Sequence, residues 1–211
     1  RHRLWEDGNY RRGKPPSDSP PVRNCVKARV LGRLAREFFE NGPIPIKKAT
    51  LHKIAAQEIE SSENRSVDMP SAPESLLAEF VEDGILVRSD EGVYRFLLRT
   101  FHEYCLAHWL CASKDSPENT TTLVEYLSIK AWHPAWERIL ILSTGMLPDP
   151  VPLLYRLTDK DCDDYFGHRA ALAARCLSEV PSPANEAMQR CIDNVTARVI
   201  EVIWFPHLCG L

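Results

Sequence analysis

The chain has 211 residues, of which 44% are hydrophobic and 26% charged, and its formal net charge is −3. This composition is ordinary for a folded globular protein and excludes collagen-like and fully disordered chains. No run approaches the about 18 apolar residues of a membrane-spanning helix, and the first residues lack the apolar stretch of a signal peptide. We therefore expect a cytoplasmic protein with no membrane partner. Because the chain starts at Arg1 rather than at a Met, we expect a fragment of a longer protein.

Charge is unevenly distributed along the chain. Residues 1–48 hold 12 Lys and Arg against 5 Asp and Glu, whereas residues 49–211 hold 14 against 24. Residues 1–23 also contain dense prolines, which favour an extended connector over a helix. We interpret them as a linker or the remnant of a preceding helical domain. The alternative is that the basic cluster Arg11-Arg12-Gly13-Lys14 contacts nucleic acid or phosphate.

Residues 24–84 predict three helices around one core. Apolar residues recur every three or four positions from Asn24, a plausible N-cap, to a stop at Asn41-Gly42-Pro43. A second helix is predicted to start with Thr50 as its N-cap, and a third runs from Pro73 to a stop at Gly84. Four apolar residues share one face of this third helix: Leu76, Leu77, Phe80 and Val81.

A β-hairpin and a long central helix follow. Residues 84–88 and 93–96 are short runs rich in β-branched and aromatic residues, and a Gly-containing turn joins them. On a helical wheel of about 100° per residue, the central helix has a broad apolar arc. The arc contains Leu97, Leu98, Phe101, Tyr104, Cys105, Trp109 and Ala112, with Arg99 and Glu103 opposite. The three helices and the hairpin predict a winged-helix-like domain over residues 24–115.

Residues 116–211 predict HEAT-like paired helices, so the expected fold class is mainly α with a small β-hairpin. Pro-bounded joints separate three predicted pairs, over residues 122–146, 150–180 and 183–205. The second helices of the pairs lie roughly 30 residues apart, near the period of helical solenoids. Within the third pair, we predict a break between Asn194 and Val195.

The hairpin and central helix resemble the winged-helix domain of NACHT-type STAND NTPases, a family of nucleotide-dependent signalling switches. That domain closes with a stretch like Phe-x-His-x-Thr-Phe-x-Glu-Tyr-x-Ala-Ala. This chain has matching residues at the same spacing, namely Phe96, Thr100, Phe101, Glu103 and Tyr104. Leu98 stands where the family usually has His, and Leu106 where it usually has Ala. The resemblance spans roughly residues 31–146, and Trp136 begins a segment similar to the family's entry into its sensor region.

The resemblance implies a regulatory and sensor function. In that family an upstream domain binds ATP or ADP, and the winged helix packs over it at rest. Ligand binding at the repeats releases this packing, so that the protein oligomerises; bacterial members often serve in defence against phage. The family's His at the position of Leu98 reaches the nucleotide phosphate, and His102 is a weak substitute for it. The implied partners are the upstream domain of the same protein and an unknown protein or other ligand.

The chain itself offers no convincing catalytic set. It lacks a Gly-x-x-x-x-Gly-Lys-Ser/Thr phosphate loop, so we expect this chain to hold no cofactor and not to be an enzyme. Of the His and Cys residues between 102 and 111, at most two or three could converge on a metal, and nothing beside Cys105 would activate it as a nucleophile. Residues 159–164 have the carboxylates but not the spacing of a calcium loop, which predicts a solvated acidic turn. Seven cysteines without a Cys-x-x-Cys pair predict reduced, mostly buried thiols.

Two other functions stay open. A DNA-binding winged helix would place the basic residues 1–48 on phosphates and a polar second or third helix on bases. The third helix instead carries Glu74, Glu79, Glu82 and Asp83, which DNA would repel, so we do not expect nucleic acid as a partner. The other possibility is a protein-interaction scaffold of helical repeats without a switch.

Overall fold

The computed structural model describes residues 24–40, 46–61, 72–89, 91–112, 120–180 and 185–208. Several predictions lie outside these residues: the linker at 1–23, the helix stop at 41–43, the joint at 116–118 and the burial of Cys209. Among the helices described, none combines the length and the hydropathy that a membrane span requires.

The chain divides into two compact units, an N-terminal unit of residues 1–102 and a C-terminal unit of residues 103–211. The division falls within the central helix, directly after His102. From the sequence, the domain boundaries lie at residues 23 and 115, and this three-part organisation stays a prediction.

The elements of the N-terminal unit follow the order of a winged helix. They are α1 (Asn24–Glu40), β1 (Ile46–Lys47), α2 (Lys48–Ser61), α3 (Ala72–Glu82), β2 (Leu86–Arg88), β3 (Val93–Phe96) and the start of α4 (Arg99–Ala112). The strands form an antiparallel sheet in the order β1-β3-β2, in which Ile46 pairs with Tyr94 and Leu86 with Phe96. The predicted helices and hairpin are therefore confirmed.

The core of this unit forms where α1 packs on α2 and α2 on α3. Apolar side chains at helical spacing are buried there, including Val30, Leu34, Leu51, Leu77 and Phe80. Gly84 follows α3 with a φ of 70°, in the left-handed region that glycine adopts without strain. The chain can therefore leave α3 and enter β2 within four residues.

Two details of this unit differ from the prediction. The sequence pattern misses β1, because two residues are too few to show the alternation of a strand. The second helix begins at Lys48, since β1 runs directly into it, and Thr50 lies inside its first turn rather than at its N-cap.

The C-terminal unit stacks its helices in two rows. Its further elements are α5 (Thr120–Lys130), α6 (Glu137–Met146), α7 (Val151–Leu157), α8 (His168–Cys176) and α9 (Glu186–Leu208), with 3-10 turns at Pro134–Trp136, Lys160–Cys162 and Leu177–Glu179. In one row α5 packs on α7 and α7 on α9, while in the other α6 packs on α8. Contact between each helix and the one two places along is typical of paired helical repeats. The predicted fold class, mainly α with a small β-hairpin, is confirmed.

The predicted break between Asn194 and Val195 is wrong, because α9 is one continuous helix. Neither residue is Gly or Pro, so nothing local interrupts the backbone hydrogen bonds. Cys191 and Val195, one helical turn apart, are both buried. A single helix thus keeps one apolar face through the predicted break, and α9 packs on both α7 and α8.

Most of the apolar arc predicted for the central helix is wrong, although its member Trp109 is buried. The buried residues of α4 are Glu103, Leu106, Ala107, Trp109 and Leu110. By contrast, Leu97, Leu98, Phe101 and Tyr104 are exposed. A single wheel assumes that a helix faces one core, but α4 begins in one unit and continues in the other. Aromatic character at the start of α4 therefore does not indicate burial there.

Candidate functional site

His102 is held against α1 and β3 by aromatic packing. Its ring centroid lies 5.2 Å from that of Phe96, 5.6 Å from that of Phe39 and 6.2 Å from that of Phe38. Its Nε2 lies 2.7 Å from the carbonyl oxygen of Ala35, and because a carbonyl can only accept, Nε2 is the donor. This nitrogen is therefore engaged in a contact within the fold.

Leu98, which the sequence resemblance aligns with a phosphate-contacting His, lies immediately before α4. Its carbonyl accepts hydrogen bonds from the backbone N–H groups of Phe101 at 3.1 Å and His102 at 3.4 Å, which begins the helix. The side chain of Leu98 is 49% exposed, and those of Leu97 and Phe101 are 51% and 41% exposed. We name these three side chains the Leu98 surface. All three belong to the N-terminal unit.

The Leu98 surface has the chemistry of a packing surface. None of its three side chains carries a hydrogen-bond donor or a charge, so none can bind a phosphate. Several large apolar side chains exposed to water within one short stretch of chain can mark a place where another surface docks. The site therefore offers apolar contact rather than a ligand for phosphate.

The other family-like residues of α4 are divided between exposed and buried positions. Thr100 and Tyr104 are exposed, and the ring of Tyr104 stacks on that of His108 at a centroid distance of 6.2 Å. Glu103 is buried. Of these three residues, only Glu103 is as buried as a core residue.

Trp136, which begins the segment similar to the family's sensor entry, is buried in the C-terminal unit. Its ring meets that of Tyr126 edge-on at 5.5 Å, and the Nζ of Lys130 lies 5.2 Å from its centroid. Such a cation–π contact adds modestly to the aromatic packing. These contacts hold α5 against the 3-10 turn that precedes α6.

Burial makes Cys105 poorly suited to nucleophilic catalysis. It raises the pKa of the Cys105 thiol to about 12, and it raises the pKa values of Cys111, Cys176 and Cys191 to about 11. A thiol with such a pKa is almost fully protonated at neutral pH, whereas the thiolate is the nucleophile. The six described cysteines are free; Cys176 and Cys191 are buried, Cys105 and Cys111 are partly buried, and only Cys25 and Cys162 of these six are exposed.

We expect iodoacetamide at about pH 8 to modify Cys162 at least about a hundredfold faster than Cys105, because Cys162 is exposed whereas burial raises the pKa of the Cys105 thiol to about 12. Peptide mapping by mass spectrometry measures both rates in one sample. A Cys162→Ser variant should lose the fast reaction at that peptide and leave the slow one unchanged. Equal rates at Cys105 and Cys162 in the folded protein would contradict this prediction.

The exposed face of α3 is acidic. A DNA-binding winged helix would present this helix to the bases. Its exposed side chains are Glu74, Ser75, Ala78 and Glu82. Lys48 of α2 pairs with Glu74, and this hydrogen bond lowers the pKa of the Glu74 carboxyl. The Glu74 carboxylate therefore stays ionised at neutral pH, and an acidic face is unfavourable for DNA.

The acidic turn before α8 is exposed at Asp161 and Asp164, as the sequence predicts, but the Asp163 side chain is not. The side chain of Asp163 is fully buried, and its carboxylate accepts the backbone N–H groups of Arg169 at 2.9 Å and Ala170 at 3.2 Å. Asp164 accepts the N–H of His168 at 2.9 Å. These carboxylates satisfy the first N–H groups of α8. Within the described ranges, no group of three or more His, Cys, Asp or Glu residues could hold a metal ion.

Two arginines that the sequence analysis did not single out hold this turn in place. Arg169 is buried, and its guanidinium donates to the carbonyl oxygens of Cys162 at 3.0 Å and Arg156 at 2.8 Å. The guanidinium of Arg198 on α9 lies 3.8 Å from the carboxylate of Asp163. Sequence spacing gives no signal for these contacts, because the partners are backbone carbonyls or a side chain far along the chain.

The structure brings some of the predicted site residues together and not others. Phe96 and His102 stack on one another, while Leu98 and Phe101, three residues apart, are both exposed. Comparisons with protein families, with characterised proteins and with solved structures found no match to this chain. The link to NACHT-type switches therefore depends on the residues of this chain alone.

Proposed function

We propose that this chain is the regulatory winged helix and the sensor portion of a NACHT-type signal-transducing NTPase. The single observation that carries the proposal is the Leu98 surface, which exposes three apolar side chains where the family's winged helix faces the nucleotide. The order of elements in the N-terminal unit and the matching residues of α4 support it. ATP or ADP would bind to an upstream domain of the same protein.

Packing on the upstream domain is the role that fits the Leu98 surface. Burial of apolar area stabilises a contact by about 25 cal/mol per Å². The alternative, in which His102 contacts the phosphate, requires its Nε2 to leave the carbonyl of Ala35. It also requires the imidazole to leave the rings of Phe96 and Phe39. We therefore favour apolar docking over a phosphate contact.

In the proposed switch, the C-terminal unit binds a protein or other ligand, and this binding undocks the winged helix so that the protein oligomerises. A ligand can do this only if it binds the undocked state more tightly than the docked one. Antiphage defence in the cytoplasm is the setting that the resemblance implies. The allosteric signal is a change between two packed states.

We expect the chain not to bind duplex DNA at physiological salt, because the exposed face of α3 carries carboxylates. Fluorescence anisotropy with a labelled duplex measures this. The double variant Glu74→Lys/Glu82→Lys reverses the charge of that face and should bind measurably better. Tight binding by the unaltered chain, with a salt dependence of several released counterions, would favour the DNA-binding alternative.

The coding sequence upstream of Arg1 tests the proposed function. The proposal requires a Gly-x-x-x-x-Gly-Lys-Ser/Thr motif there, encoded between a strand-like and a helix-like segment, because this loop cradles the nucleotide phosphates. A start codon upstream with no such motif would contradict the proposal and leave a helical-repeat scaffold as the better description.

A further inference from the structure

The turn that precedes α8 presents two large aromatic side chains to solvent. Tyr165 is 65% exposed and Phe166 is 82% exposed, the highest value among the large hydrophobic residues of the described chain. Their rings meet edge to face at 5.6 Å, so each keeps a ring face open. Together they expose about 300 Å², taking about 200 Å² as the full area of each ring side chain. An exposed apolar patch of about this area on a monomer is often functional.

This aromatic pair is held on a firmly anchored turn. On one side Asp163 binds the first N–H groups of α8, and Arg169 binds the carbonyls of Cys162 and Arg156. On the other side Gly167, with a φ of 67°, lies against Val202 of α9. A turn fixed at both ends loses little conformational entropy when a partner binds, which favours recognition.

Trp132, a third exposed aromatic side chain, stacks on a residue next to the same turn. His168, two residues beyond Phe166, stacks on the ring of Trp132 at a centroid distance of 5.5 Å and an angle of 18°. The His168 ring is fixed by a contact of 3.1 Å between Nε2 and the carbonyl oxygen of Ala131. Trp132 is itself exposed. Tyr and Trp side chains are the residue types most enriched among binding hot spots.

The exposed charges of the turn that holds the aromatic pair are mostly carboxylates, because Arg169 is buried and Arg198 is paired with Asp163 and Glu201. Asp161 and Asp164 are exposed on the same turn, and Asp164 uses only one carboxylate oxygen for the N–H of His168. The one lysine of the turn, Lys160, is paired with Glu201 and so adds no net positive charge. The unit as a whole is acidic, with 9 Lys and Arg against 14 Asp and Glu over residues 103–211.

We propose that Tyr165 and Phe166, with Asp161 and Asp164, form a docking site for a basic peptide segment. The open ring faces suit the guanidinium or ammonium groups of such a segment, and the flanking carboxylates pair with them. The partner class follows from this charge complementarity. The site belongs to the C-terminal unit alone, so it does not depend on the nucleotide switch.

Fluorescence anisotropy of a labelled peptide of about eight arginines, added to the full chain, tests the site. Tyr165→Ser/Phe166→Ser should weaken binding at least about tenfold without any change in charge. Its matched control is Tyr155→Ser, which removes an exposed ring from α7 and should leave the affinity within about twofold. Asp161→Asn should weaken binding about threefold or more, whereas Asp193→Asn, which removes the same charge from α9, should not.

Two results would overturn the proposal. One is the absence of peptide binding by the unaltered chain. The other is an equal peptide affinity of the Tyr165→Ser/Phe166→Ser variant and the unaltered chain, which would mean that the peptide binds only through general electrostatic attraction. Thermal melting of each variant checks that the fold is kept. The variant Tyr165→Leu/Phe166→Leu keeps apolar area but has no ring face, so it should also lose about tenfold in affinity if cation–π contacts bind the peptide.

Discussion

Replacing Glu79 by alanine is expected to lower the free energy of unfolding of the N-terminal unit by about 2–4 kcal/mol. Glu79 of α3 pairs with Lys27 of α1, whose side chain is only 5% exposed. The variant leaves that buried ammonium without the carboxylate that compensates its charge. The expected loss is below the full value for a buried pair because the Glu79 side chain is 33% exposed. Urea unfolding followed by circular dichroism measures the change.

Glu74→Ala is the matched control, because Glu74 lies on the same helix and also pairs with a lysine, Lys48. That pair is exposed, so its loss should leave the urea midpoint almost unchanged. The double variant Lys27→Met/Glu79→Leu should recover most of the stability, since apolar side chains replace the buried charge. If Glu79→Ala and Glu74→Ala lower the free energy of unfolding by the same amount, the burial of Lys27 does not add to the stabilisation by its ion pair.

Gly167→Ala is expected to destabilise the C-terminal unit by about 2–5 kcal/mol. The backbone at Gly167 has a φ of 67°, a left-handed conformation that costs other residues about 1–2 kcal/mol. A Cβ at this position would also come within 2.5 Å of Cγ1 of Val202, and overpacking of this kind costs about 1–3 kcal/mol. Thermal unfolding measures the combined effect.

Gly92→Ala separates the two contributions. Gly92 has nearly the same φ, 71°, but a Cβ there would have nothing within 4 Å. This variant should therefore lose only the backbone contribution of about 1–2 kcal/mol. In the Gly167→Ala background, Val202→Ala should restore part of the stability by making room. If Gly167→Ala and Gly92→Ala lose the same amount, the close approach of α9 is not important for stability.

The helices of the N-terminal unit could be predicted because each faces a single core. Apolar residues such as Leu34, Leu51 and Phe80 recur at the helical period, and all three are buried. The same reasoning fails for α4, because its residues belong to two units and the wheel assumes one. It also fails for β1, which is only two residues long.

The contacts of the candidate sites could not be predicted from the sequence, because they join residues far apart in the chain. Asp163 accepts the N–H groups six and seven residues ahead, beyond the offset of two or three that an N-cap pattern covers. The pairing of Lys27 with Glu79 and the contact of His102 with Ala35 link different elements. The sequence could show that Leu98 is unusual, but only the exposed fraction of its side chain points to docking.

The rate of ADP release from the protein that carries the proposed upstream domain tests most directly whether the winged helix docks through the Leu98 surface. Leu98→Ser should speed release at least about tenfold, which corresponds to about 1.4 kcal/mol of lost docking. Ile129→Ser, which alters an exposed apolar side chain of α5, should leave the rate unchanged. His102→Gln keeps a side-chain N–H for the carbonyl of Ala35 and should change the rate less than about twofold. Tenfold faster release from His102→Gln, with Leu98→Ser silent, would contradict apolar docking and identify His102 as the phosphate contact.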